Sequence, residues 1–314
     1  MRNLKKGLLI LLALLTLGNI FGQQKINIPE LLGYPASTKL LIIHGDDMGL
    51  SHSTNAAVIK AFENGGITSG SVMVPCPWAP EIAAYVKAHP GLDVGIHFTL
   101  NAEWKYYKCG GVLPSCDIPS LLNKEGKFYP DLQQVALHAR PEEVEKELRA
   151  QIDRAIAQGI RPTHLDSHMG SMYVSPAIFR VAVKVAKEYK LPVSLPLNLV
   201  KTGAPFLVNE ISADMIGVDN FLMLPGNAVG GDWKSMYAKL VNSLIPGLNE
   251  IVVHLSYDND EMKAIAIDHV DYGSAWRQND LDYVTSDEFK KLLKDNSVQL
   301  VTWREIQEAV YCNK

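Results

Sequence analysis

The sequence predicts an α/β fold, a single (β/α) barrel-like domain with parallel strands. Three observations carry this. Leu40, Leu41, Ile42 and Ile43 form a short, wholly apolar run of the kind buried on both faces inside a parallel sheet. Strand-like and helix-like segments then alternate to the end of the chain, with no internal repeat and no linker between them. Ionisable residues appear at or near the carboxyl ends of four of these strands, where ligand sites lie in such folds.

Taken in order, the chain first presents a leader. Arg2, Lys5 and Lys6 precede an apolar run from Gly7 to Leu17, and Gly22 is a small residue at a plausible cut. Residues 1–22 therefore read as an export signal, too short for a comfortable membrane span. Residues 23–314 form the expected domain. The first strand, around 40–49, runs into Asp46 and Asp47. Neighbouring side chains in a strand point to opposite faces, so both carboxylates share one site only if the strand bends, which Gly45 and Gly49 ease. A helix over 55–64 ends at Gly65-Gly66, and a strand over 70–74 follows. Next come a helix over 80–88, stopped by Pro90-Gly91, and a strand over 93–100. Residues 101–140 show no period and read as an excursion over the active face. Pro141 opens an amphipathic helix to Gln158, with acids in its first turn. A strand at 163–167 and a helix at 176–189 follow. Weaker strands are expected near Val193, Phe221 and Ile251, and a last one at 298–302, with helices at 233–244, 286–293 and 304–311.

Composition excludes several classes. The chain carries 30 basic and 34 acidic residues, a net charge of −4 with no basic footprint for nucleic acid. Four cysteines are too few for a disulfide scaffold and show no CxxC spacing. Cys109 and Cys116 bracket a Gly/Pro-containing loop and are the expected bridge in an exported protein, with Cys76 and Cys312 as buried thiols or a second pair.

The histidines sharpen the reading. Alternation puts Gly95, His97 and Thr99 on one face, opposite Val94, Ile96 and Phe98. A lone histidine there is more often a hydrogen-bonded core residue than a ligand. In the next strand His164, Asp166 and His168 share a face, and three such groups on a buried strand are costly unless they pair or bind something. Imidazole plus carboxylate suits zinc and related ions, with Asp166 placed to orient a ligand histidine. Ile251-Val252-Val253-His254 delivers one more histidine to a strand end. His44, His52, His89, His138 and His269 are assigned no role beyond solvation.

In order, Ile43-His44-Gly45-Asp46-Asp47-Met48-Gly49-Leu50, Asn55, Gly66-Ile67-Thr68-Ser69, Val94-Gly95-Ile96-His97 and Pro162-Thr163-His164-Leu165-Asp166-Ser167-His168 resemble the YdjC-like carbohydrate deacetylases, which include chitooligosaccharide deacetylases. The resemblance covers nearly the whole mature chain. It implies an irregular (β/α) barrel of the polysaccharide-deacetylase type and removal of N-acetyl groups from amino sugars. Carried over position by position, it implies Asp47, His97 and His168 as ligands of one divalent ion (magnesium or zinc). It further implies Asp46 as general base and His254 as the late histidine that acts as general acid. Asp166 and His164 stand behind the ligands. The chain departs from the family in three places: His44-Gly45 replaces Asn-Ala, Met169-Gly170-Ser171 replaces a run of histidines, and Leu255-Ser256 follows His254 in place of Pro-Gly.

The chemistry is consistent with amide hydrolysis, in which an ion polarises the carbonyl, a carboxylate takes a proton from water and an imidazole protonates the amine. Trp104, Tyr106, Tyr107, Trp233 and Trp276 are candidate platforms for sugar faces, with plain packing at least as good an account of each. The expected partner is a small carbohydrate, with no nucleic acid and no stable membrane insertion; homo-oligomer formation is left open. Two other classes compete: a different metal-dependent barrel hydrolase, and an exported sugar-binding protein without activity.

Overall fold

Strand β1, Lys39–Met48, sits at the centre of a parallel sheet because every residue after Lys39 is buried. The computed structural model describes residues 26–312, so the expected leader at 1–22 lies outside the described residues. Beside β1 run β2 (Ser69–Val72), β3 (Val94–Phe98) and β4 (Leu165–Ser167). Two short strands, β5 (Leu195–Pro196) and β6 (Gly217–Val218), pair with each other, and β7 (Asn220–Met223) pairs with β8 (Gly247–His254). β8 then lies along the other edge of β1, from Lys39↔Gly247 to Asp46↔His254. β9 (Gln299–Leu300) fills the remaining space beside Leu40 and Leu41. A bridge between Leu165 and Val193 links β4 to the stretch leading into β5, whose pairing with β6 forms a separate two-stranded sheet beside the curled main sheet. The expected α/β barrel is therefore present, regular on its β1–β4 side and broken into fragments between β5 and β7.

Alternation along the strands sorts the interior into layers. Leu41, Ile43, Ile251, Val253, Val94, Ile96 and Leu165 turn outward and pack with the helices in the main apolar core. Leu40, Ile42, Leu248, Val218 and Trp303 turn inward and form an apolar plug at the amino ends of the strands. Above that plug come His44, His164 and Glu250, all fully or almost fully buried. Asp46, His97 and Asp166 follow, and Asp47, His168 and His254 form the rim. Gly95 serves this stacking, since a Cβ there would sit 2.5 Å from the His164 ring. The ring itself lies flat against Trp303, with centroids 5.3 Å apart.

Several elements depart from expectation. The bend after β1 falls on Asp47 itself, at φ +64°, and on Gly49 at φ +88°, while Gly45 stays in the regular ladder. Asn55 fixes the turn: its Oδ1 accepts from the Gly49 N–H at 2.7 Å and its amide donates to Glu81 at 2.7 Å. Helices Leu132–His138, Leu197–Gly203, Asp260–Ile265 and Ser274–Val284 were not anticipated. Ser274–Val284 buries polar Arg277 and Asp280 among its apolar positions, which breaks the apolar pattern that would reveal it.

All four cysteines are free, which corrects the expected Cys109–Cys116 bridge. Cys109 turns into the core, where its thiol meets that of Cys76, while Cys116 is exposed beside Asp117. The excursion is instead tied down by Glu147, whose carboxylate accepts from the backbone N–H groups of Val112 at 2.8 Å and Leu113 at 3.1 Å. Cys312 is also exposed, not buried. No helix among the described residues is long and apolar enough to cross a membrane.

Candidate metal and catalytic site

The positive φ of Asp47 rotates its side chain onto the face already occupied by Asp46, so the two neighbours share one cavity. There Asp47 Oδ1 lies 3.5 Å from His97 Nε2 and 3.4 Å from His168 Nδ1. The two imidazole nitrogens are themselves 3.3 Å apart. Each histidine uses its other nitrogen on a carboxylate: His97 Nδ1–H donates to Asp166 Oδ2 at 2.8 Å, and His168 Nε2–H to Glu103 Oε2 at 2.9 Å. Those bonds fix the tautomers and leave two lone pairs facing one point, the arrangement of metal-binding histidines.

The donors fit a divalent ion. Asp47 Oδ1 is buried without a hydrogen-bond partner, an atom expensive to leave unsatisfied. A tetrahedral ion with bonds of about 2.0–2.1 Å spaces its donors by roughly 3.4 Å, close to the triangle seen here. The local field agrees. Burial alone would lower both imidazoles, yet Asp166 and Asp46 raise His97 well above its usual range, and Glu103 and Asp47 raise His168 to about 9. Burial alone would raise Asp47, but the Arg277 guanidinium, bonded to its Oδ2 at 2.8 Å, holds it well below the carboxylate range with help from His168 and His97. The same carboxylates that draw protons onto these imidazoles would favour a cation in their place.

Asp46 stands beside this triangle. Its Oδ1 accepts from His44 Nδ1–H at 2.6 Å, which turns Oδ2 toward His97 Nε2 at 3.8 Å and His254 Nε2 at 3.9 Å. Burial would depress His44, but the hydrogen bond to Asp46 and the charges of Asp46, Asp166 and Glu250 bring it up to about 9. A charged His44 donates on both sides, so at 2.8 Å its Nε2–H points to a neutral His164. Burial and the charge of His44 hold His164 well below its usual value, consistent with that assignment. Beneath the site, burial raises Glu250 to about 7 against the pull of His44.

His254 completes the rim. Its backbone N–H donates to Asp280 Oδ2 at 2.9 Å, and its ring lies near Trp276 and Tyr272. Burial lowers its imidazole, and the charges of Arg277 and His97 add to this against Asp47 and Asp46.

The structure thus brings Asp46, Asp47, His97, Asp166, His168 and His254 into one cavity. His164 sits one layer lower and touches His44, so it orients no ligand histidine. Of the five aromatic candidates, Trp104 alone lines this cavity, stacked on His168 with centroids 5.5 Å apart. Tyr106 is 71% exposed, outside the cavity. Tyr107 spends its hydroxyl on the Leu50 carbonyl, Trp233 packs on Trp276, and Trp276 is buried with its N–H on the Pro225 carbonyl. Sequence reasoning missed Glu103, Arg277, Asp280 and the buried role of His44, which corrects its assignment to solvation. The alternation that placed Asp46 also places His44 inward and would have exposed it. Glu103 lies in the aperiodic excursion, where no such signal exists.

The α/β barrel thus gathers imidazole and carboxylate donors at its strand ends, where such folds carry their functional sites. The chain belongs to the YdjC-like protein family, whose model matches residues 40–295. It is 30% identical over 268 residues to a carbohydrate deacetylase of Geobacillus stearothermophilus, covering 84% of this chain and 96% of that protein. A chitooligosaccharide deacetylase of Serratia marcescens is 33% identical over 179 residues, covering 56% and 67%. A crystal structure from Enterococcus faecalis V583, described as a candidate cellobiose-phosphate cleavage protein, shares the fold. Its TM-score is 0.72 at 24% identity, over 86% of this chain and 99% of that one.

Proposed function

We propose that the protein is a metal-dependent hydrolase that removes N-acetyl groups from amino sugars or short oligosaccharides, a reading supported by its similarity to proteins named carbohydrate deacetylase and chitooligosaccharide deacetylase. The observation that carries this reading is the convergence of three donor atoms, one of them an unsatisfied carboxylate oxygen, beside a second carboxylate and a separate imidazole. Asp47, His97 and His168 would hold a divalent ion, magnesium or zinc, which supplies polarisation of the amide carbonyl and a more acidic water.

The remaining chemistry belongs to side chains. His44 holds Asp46 Oδ1, which leaves Oδ2 facing the cavity as the acceptor of the proton lost by the attacking water. The amine must gain a proton to leave, and His254 Nε2 is the donor on the opposite side. Its lowered pKa makes it neutral at rest, so it must gain a proton before it donates. The proton that Asp46 Oδ2 takes from the attacking water can reach it through one bridging water, the two atoms lying 3.9 Å apart. Asp166 and Glu103 keep the two ligand imidazoles in the required tautomer. The charged and apolar residues at 1–22 support export of the protein, and a small carbohydrate as its partner belongs to the same reading.

Elemental analysis combined with acetate release from N-acetylglucosamine and its short β-linked oligomers tests the proposal. Stoichiometric divalent metal and metal-dependent acetate release are expected; a loaded protein that releases acetate from none of them would leave sugar binding as the reading. His254→Ala should depress amide hydrolysis by about 10²–10⁴-fold and spare an activated acetate ester, whose leaving group departs unprotonated. An equal loss on both would place the proton donor elsewhere.

A further inference from the structure

The cavity of about 480 Å³ extends well beyond the donors, and its far side has a different chemistry. There Pro196, Leu199, Val200, Ala204, Phe221 and Met223 line it, none with a side-chain hydrogen-bonding group. The wall is built, not loose: Asn198 accepts from the Phe221 N–H at 3.1 Å and donates to its carbonyl at 3.0 Å, which pins helix Leu197–Gly203 to β7. Leu199 is 46% and Met223 36% exposed, so apolar surface is kept open to the cavity. Sugar hydroxyls placed against such a wall would lose their hydrogen bonds to water and gain none. Alkyl groups would gain from it.

Charge narrows the occupant further. Among the described residues the lining contains six carboxylates, and its sole lysine or arginine is Arg277, which pairs through Nη2 with Asp47 Oδ2 and through Nε with the Tyr272 carbonyl and keeps Nη1 buried without a partner. A phosphorylated sugar would meet an excess of acids, with no lysine among the described lining residues and the one guanidinium already paired to Asp47.

We infer that the Leu199–Phe221–Met223 side of the cavity is an aliphatic subsite, and that the favoured substrate is an uncharged amino-sugar conjugate carrying an alkyl or acyl chain. This rests on the deacetylase reading for the reaction, which is unaltered: water adds across the amide C–N bond and frees the amine. The chain is carried either on the anomeric oxygen or as the N-acyl group itself.

Two substrate series with the metal-loaded full chain test this below the micellar range. One compares methyl with octyl N-acetylglucosaminide, the other N-acetyl with N-octanoyl glucosamine, reading free amine. Each fully covered methylene is worth about fourfold, so kcat/KM should rise at least about tenfold across one series with most of the chain only partly covered. A rise in the first series places the chain on the anomeric oxygen, and a rise in the second places it on nitrogen. The double variant L199N/M223Q should bring the octyl-to-methyl or octanoyl-to-acetyl ratio close to one. Flat or falling series in a protein that does turn over the methyl glycoside would overturn the subsite and leave the deacetylase reading standing. A preference for the 6-phosphorylated sugar would overturn it as well. If no sugar is turned over, the deacetylase reading fails, and calorimetric titration of the two glycosides still decides: tighter binding of the octyl compound supports the subsite, and equal binding refutes it.

Discussion

The β1–β4 side of the barrel and the β5–β7 side enclose the same cavity with opposite chemistry. On the first, β1, β3 and the short β4, consecutively paired with β2, deliver Asp46, Asp47, His97 and Asp166, with the bend at Asp47 bringing both aspartates to one face, and each candidate ligand histidine is held by a carboxylate. On the second, strands of two to four residues deliver Pro196, Phe221 and Met223, with helix Leu197–Gly203 between, which adds Leu199 and Val200. Chemistry needs donors placed to within a few tenths of an ångström, which the bonds of Asp166, Glu103 and Arg277 to His97, His168 and Asp47 supply. Apolar recognition tolerates looser placement, so the broken half can vary without disturbing the reaction.

This contrast breaks most visibly at the rim. His168→Ala should remove the bound ion and bring acetate release to background, a loss of about a thousandfold or more. Full metal occupancy by elemental analysis would show that the regular half does not hold the ion through His168. Asp46→Asn should keep the metal and lower kcat by about 10²–10⁴-fold, because a base is lost without a ligand; near-normal turnover would assign the proton to another group.

A third measurement concerns the polar layer under the site. His44 has a folded pKa of about 9 against 6.5 for an unperturbed imidazole, so it binds its proton more tightly when folded. Its stabilisation is complete below about pH 6.5 and is lost as pH rises through about 9. In metal-free protein, Tm should therefore fall between pH 7 and 9 more steeply for wild type than for His44→Asn. Parallel curves would mean that the layer of His44, His164, Asp46, Asp166 and Glu250 does not hold this charge. The smallest effect is expected at the surface. Cys116→Ser should change unfolding free energy by no more than about 0.5 kcal/mol without reductant, whereas loss of a native bridge would cost about 2–5 kcal/mol.

The same contrast explains what the sequence discloses. Where strands are long, period-two alternation assigns faces, and His97, His164, Asp166 and His168 all fall inward as that pattern requires. The positions of Asp46 and Asp47 were legible for a related reason, since an apolar run ending in acids has few other interpretations in a parallel sheet. Glu103, Arg277 and the Leu199 wall were not legible. Glu103 lies in an excursion held by side-chain-to-backbone bonds, and Arg277 in a helix whose inward face is partly ionic. Leu199 lies between strands too short to show any period. The Cys109–Cys116 expectation failed because loop composition reports how easily a chain reverses, not which way a thiol points.

The position of β1 has a consequence for how the molecule is made. Leu40 receives a hydrogen bond from Asn249, 209 residues further on, and β9 beside it begins only at Gln299. Asp93, ahead of β3, caps the final helix through the Trp303 and Arg304 N–H groups at 2.7 and 3.1 Å. The strand that leaves the ribosome first therefore waits for nearly the whole chain before its edges are covered. Contacts so distant in sequence make folding slow and leave a sticky, unpaired strand in the nascent polypeptide. A holdase that engages residues 39–48 during synthesis would shield the segment that later carries both aspartates, and truncation before Gln299 would leave the edge at Leu40 and Leu41 uncovered.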